Sequence, residues 1–230
     1  FKFGYETKWF WTESVPLLGF AIFLCAHYAK YFHKRFIKNR RNKLHSHIHT
    51  MIGVSLVLMY YGYLYITRTT LDIFNCGPTN PDDGFEYMEA VFVKCYEPGG
   101  LRNNLFPWAV FFFMFYSCGY PAVVGYILYK GRESAKEDQL LRANGTGATR
   151  KTNPNCYDFR KRFSRLYFHF KPHHYYWILI ILGRKFLIAC SALIFRKTPV
   201  FLLAFILLVL FVSYALQVRH QPYMSMSERP

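Results

Sequence analysis

Between Tyr175 and Phe195 the chain reads YYWILIILGRKFLIACSALIF, apolar and long enough to cross a bilayer, with Arg184 and Lys185 side by side at its middle. A spanning helix needs about 20 mostly apolar residues at 1.5 Å rise each. Sliding the helix cannot bring the pair to a surface, because the apolar run after Lys185 ends at Phe195, before Arg196 and Lys197. If this segment spans, the two cations lie deep. On the insertion scale two central cations cost about 5–7 kcal/mol, and the Ile, Leu and Phe residues return about 3–6. A balance near zero means that the helix needs neighbours, water or a carboxylate partner in lipid. Intramembrane charge is a functional hypothesis by default. The competing reading is structural, with both cations snorkelling or bonded to carbonyls of adjacent helices.

A hydrophobic content of 53% and a mean hydropathy of +0.05 describe an ordinary soluble protein on average. Distribution overrules the average. The apolar residues come in long blocks with charges between them, which predicts an all-α, multi-pass membrane protein rather than a barrel of short alternating strands. A formal charge of +16 raises the question of nucleic acid. The cations flank apolar spans instead, and no zinc-finger or RNA-binding signature is present. With Phe1 first and no cleavable signal pattern, the sequence reads as an excerpt of a longer chain.

Five spans are predicted, at about 15–32, 48–74, 105–129, 174–195 and 199–218, forming a single transmembrane domain over 1–230. Trp9, Phe10 and Trp11 form an interfacial belt before the first, where Ser14 can cap a helix with Pro16 in its first turn. Phe106-Pro107 opens the third span, Pro172 the fourth and Pro199 the fifth, so four of five helices carry Pro near the start, where a missing N–H costs nothing. Gly119 and Pro121 inside the third span predict a hinge. Residues 130–156, rich in Gly, Asn and Thr, read as a flexible loop.

Charge sets the expected orientation. With the N-terminus outside and the C-terminus cytoplasmic, the inner segments hold 20 of the 29 Lys and Arg. Cys76 and Cys95 then flank an acidic, turn-rich loop on the oxidising side, where a disulfide can persist and is worth about 3 kcal/mol. Cys25, Cys118 and Cys190 fall in spans and Cys156 in an inner loop, so they read as free thiols. The sequon Asn144-Gly145-Thr146 falls inside and should carry no glycan.

Residues 157–171, YDFRKRFSRLYFHFK, form a predicted amphipathic basic helix. At 100° per residue Phe159, Phe163, Leu166, Tyr167 and Phe170 share one face, while Arg160, Lys161, Arg162, Arg165 and Lys171 occupy the other. Those cations are candidates for contact with anionic inner-leaflet lipids, at about 1 kcal/mol each. The alternatives are an ordinary interfacial anchor and a phosphoinositide-sensitive coupling helix. His45, His47 and His49 alternate, which on a helix scatters them, so no metal or haem is expected and no cofactor. A voltage sensor needs a cation at every third position of a span, and only one adjacent pair is present. Asp82, Asp83, Glu86 and Glu89 could ring a pore mouth only in an oligomer. No GxSxG, HExxH or phosphate-cradling glycine loop points to an enzyme.

The runs IFNC, GFEYMEAVFVKCYEPGG, Gly119-Tyr120-Pro121, FHFKPHHYYWILIILGRKFLIA and VRHQPY resemble the C-terminal membrane region of large protist, algal and invertebrate surface proteins with Cys-rich ectodomains. That region is itself similar, at a distance, to the membrane domains of transient-receptor-potential and polycystin channels. The resemblance covers roughly residues 48–224. It implies a Cys76–Cys95 disulfide outside and a shared structural role for Tyr176, Trp177, Arg184 and Lys185. It also implies a plasma or ciliary membrane and a module that anchors an ectodomain and docks onto other membrane proteins or its own oligomer. The alternatives are a cation channel or channel subunit and, with least support, a membrane oxidoreductase.

Overall fold

The structure is a computed structural model that describes residues 4–32, 44–147, 149–195 and 197–224. The basic loop at 33–43, Arg196, the tail at 225–230 and the side chains of His45 and His47 lie outside the described residues. Among the described residues eight α-helices follow in order: α1 Tyr5–Phe32, α2 Leu44–Asp72, α3 Leu101–Phe112, α4 Gly119–Lys130, α5 Arg132–Ala143, α6 Tyr157–Tyr167, α7 Trp177–Ile194 and α8 Pro199–His220. A π-helical turn at Phe113–Cys118 joins α3 to α4, making one continuous helical segment from Leu101 to Lys130. Among the described residues five helical segments are long and apolar enough to cross a membrane: Tyr5–Lys30, His49–Asp72, Leu101–Lys130, Trp177–Ile194 and Pro199–His220.

A long apolar helix stands where each span is expected, but three begin elsewhere than the prolines imply. α1 starts at Tyr5, so Ser14 is no cap: it sits mid-helix and its hydroxyl donates to the Trp11 carbonyl at 3.0 Å, with Pro16 also interior. α3 starts at Leu101, placing Pro107 past the first turn. Pro172 opens a short 3-10 turn, Pro172–His174, and α7 itself begins at Trp177. Only Pro199 stands first in its helix. Burial explains the first two cases, because Trp9 and Leu105 are fully enclosed and hold the extra turns in place. That packing outweighs an interior proline, worth about 3 kcal/mol.

Two compact units share the chain. The first comprises Phe1–Val15, Gly62–Ala122 and Leu182–Arg219. It contains strand, a departure from the all-α expectation: β1 (Cys76–Pro78), β2 (Glu86–Met88) and β3 (Val93–Lys94) form an antiparallel sheet in the order β1-β2-β3. Cys76 pairs with Met88 across the sheet, and Cys76 is disulfide-bonded to Cys95. The sheet tightens at Gly84, whose positive φ of 78° glycine tolerates and whose N–H meets the Asp82 carboxylate at 2.9 Å. Both cysteines are buried with Trp9, Ile73, Met88, Leu105 and Ala109, so the disulfide sits inside a hydrophobic cluster. The Trp9 indole N–H donates to the Thr69 carbonyl at 3.1 Å, fixing α1 to the end of α2.

The second unit comprises Pro16–Tyr61, Val123–Ile181 and His220–Pro230. Its centre is the pair α5 and α6, so residues 130–156 are not a flexible loop. α5 occupies nearly half of them, with Ala135, Asp138, Gln139 and Arg142 buried. A Cβ at Gly131 would run into the Phe159 ring, so glycine is what lets α6 close on the start of α5. After α8 the chain runs beside the end of α6: Lys171 N–H donates to the Pro222 carbonyl at 2.7 Å and Met224 N–H to that of His169 at 3.1 Å.

Candidate functional site

In the first unit the polar groups of the apolar helices are drawn together around one backbone problem. Pro121 has no N–H, so the carbonyl four residues earlier, Ser117, loses its helical donor. Inside a candidate span, where water is scarce, such a carbonyl must be met by protein. The Tyr63 hydroxyl meets it, donating to Ser117 O at 2.7 Å. The π-helical turn Phe113–Cys118 lies just before, with Gly119 N–H reaching back to Met114 O. The Ser117 hydroxyl in turn donates to Thr67 Oγ1 at 3.1 Å. Thr70 Oγ1 lies 2.9 Å from both Glu13 Oε1 and Ile66 O. Tyr63, Thr67, Thr70, Ser117 and Glu13 are all buried.

Sequence reading singled out Gly119 and Pro121 but missed these partners. A signal existed. Tyr63, Thr67 and Thr70 stand at i, i+4 and i+7, a polar stripe on one face of an apolar helix. Nothing local connects that stripe to Glu13 or Ser117, which lie 57 and 50 residues away along the chain.

Arg184 and Lys185 are both half-buried on α7. The Arg184 guanidinium donates to the Ser213 hydroxyl of α8 at 3.1 Å. That partner is neither the carboxylate nor the carbonyl expected from sequence. A hydroxyl placed in the apolar run of α8 accepts from the cation without introducing a second charge to desolvate.

The acids between Cys76 and Cys95 are used locally. Asp83 accepts from Tyr87 Oη at 2.7 Å and from Phe85 N–H at 3.0 Å, and those bonds, led by the tyrosine, hold its carboxyl below the ordinary aspartate value. Asn75 hydrogen-bonds Glu89.

In the second unit the five cations of 157–171 divide. Arg160 turns inward, 3.8 Å from the Asp138 carboxylate and bonded to the Gly147 carbonyl. Arg162 Nε donates to His49 Nδ1 at 2.7 Å. Lys161 and Arg165 are exposed, and Lys171 is half-buried. Asp138 also accepts from Asn153 at 2.8 Å and from the Tyr167 hydroxyl at 3.1 Å. Burial nevertheless pushes its carboxyl above the ordinary aspartate value, against the pull of Arg160 and Tyr167. Gln139 donates to the carbonyls of Tyr167 and Phe170, and Arg142 to that of Phe168, so α5 caps the end of α6. Burial pushes the Cys156 thiol up to about 11, helped by its hydrogen bond to Glu137 at 3.1 Å. Among the described residues no group of three His, Cys, Asp or Glu side chains stands where it could hold a metal ion.

Comparison of the chain with protein-family models, with curated proteins and with solved structures gave no match.

Proposed function

We propose that the chain is a multi-pass membrane module that carries a larger extracellular region and docks onto other membrane proteins through its last helix. The observation behind this is α8: 22 residues with a mean hydropathy of 2.7 in its most apolar window and not one of them buried. The other apolar helices each bury part of their surface. In a bilayer such a helix faces lipid on every side that no partner covers, and a partner helix gains by packing rather than by the hydrophobic effect. The N-terminus lies outside and the C-terminus in the cytoplasm, in a plasma or ciliary membrane. The excess of Lys and Arg in the segments so placed inside supports that orientation.

Single cysteines at the exposed positions Leu203, Leu207 and Phe211 provide the test, since all three point away from the unit. In native membranes a bifunctional thiol reagent should link them to a second polypeptide, a different protein or another copy. Links to none, with lipid adducts alone from a photoreactive probe at the same positions, would reduce α8 to an ordinary lipid-facing span.

A further inference from the structure

We propose that the second unit seats one anionic phospholipid, in a cavity of about 180 Å³ bounded by α2, α6 and the first turns of α7. The inference rests on the membrane reading of the helices and not on the docking role of α8.

Its walls combine two chemistries. Leu56 and Val57 of α2 and Ile178 and Ile181 of α7 present hydrocarbon, while Arg165 and the ring of His169 supply the polar side. The level is right for the glycerol and phosphate of a lipid, because Ile178 and Ile181 belong to the first two turns of a candidate span, beside Tyr175, Tyr176 and Trp177.

The cation is also presented rather than consumed. α6 sends Arg160 to Asp138 and Arg162 to His49, while Arg165 lies on the exposed side. Among the described residues no carboxylate forms an ion pair with Arg165. A guanidinium fork beside hydrocarbon walls matches a phosphodiester that carries acyl chains. The volume matches that of about six waters, enough for a phosphate and the glycerol atoms beside it. The remaining chain lengths lie in the bilayer. A sterol lacks the anion, and a soluble phosphate lacks the hydrocarbon.

The test is native mass spectrometry of the purified full chain, stripped of lipid and offered phosphatidylserine or phosphatidylcholine with matched chains. One phosphatidylserine should be retained, at least about tenfold more tightly than phosphatidylcholine, because the fixed choline cation offsets the shared phosphodiester whereas the serine headgroup leaves a net negative charge beside Arg165. Arg165→Gln should weaken its retention about tenfold, whereas Lys161→Gln, outside the cavity, should change it by no more than about threefold. Ile181→Trp should fill the cavity and block both lipids; Val57→Phe serves the same purpose if the tryptophan variant loses its thermal transition. Equal losses from Lys161→Gln and Arg165→Gln would show diffuse attraction to a basic surface and overturn the proposal. So would equal retention of phosphatidylcholine, displacement by a sterol, or saturation by glycerophosphoserine alone.

Discussion

At the scale of single residues, the decisive contact in the first unit is a phenol answering for a proline. Tyr63→Phe removes the hydroxyl that donates to the Ser117 carbonyl and should lower thermal stability in detergent by about 1–3 kcal/mol, as for other buried groups left unmet. Pro121→Ala returns a backbone N–H to that carbonyl, so in its background Tyr63→Phe should cost much less. A double-mutant cycle showing two simply additive losses would remove the link between the residues. Asp138 supports a second prediction. Because its folded-state value is raised above the ordinary one, its contribution to stability is fully present below the ordinary aspartate value and is lost as pH rises through the raised value. Wild type measured against Asp138→Asn should therefore gain stability as the pH falls through that window; a difference that stays flat would contradict the raised value. Neither constellation could be read from sequence beforehand. Arg160 and Arg162 read as cations for anionic inner-leaflet lipids because amphipathicity reports the polar face of a helix, not whether that face meets lipid, water or another helix.

At the scale of elements, legibility followed the kind of surface buried. α7 and α8 were plain because hydrocarbon runs announce themselves, and α6 because its apolar residues recur at helical spacing. α5 was read as loop for the opposite reason. Its inward side is Asp138, Gln139 and Arg142, so the pattern that marks a core helix is absent although the helix is enclosed. The sheet β1–β3 was missed because its strands are two or three residues long, too short for alternation to appear. The pairing of Cys76 with Cys95 was anticipated through a resemblance in the surrounding motif, and its place within the Trp9 cluster was not. Replacing both cysteines by Ser should destabilise the sheet by about 3 kcal/mol for a closed loop with 19 residues of separation. Limited proteolysis between Thr79 and Phe85 reports the loss, and an unchanged cleavage rate would show that the cluster holds without the bond.

At the scale of the whole molecule, five apolar helical segments and a disulfide were within reach of the sequence because both leave strong compositional marks. Orientation rests on charge counting, and Asn144 offers a simple check. It is exposed within an intact sequon, so expression through a secretory membrane should leave it without a glycan if that segment is cytoplasmic. A glycan there would invert the arrangement. The π-helical turn reaches furthest along the chain. With one residue more than an α-helical turn uses, Phe113–Cys118 sets the rotational phase of everything in the helix beyond it. Deleting one residue from that stretch removes the surplus and leaves an ordinary α-helical turn, so the residues after it should keep their rotational phase, whereas one further inserted residue should turn them by about 100° about the helix axis. The surplus residue in that wide turn thus acts as a spacer as well as a fold element, and a one-residue insertion there should be tolerated far less well than a deletion at the same place or an insertion near Asn144.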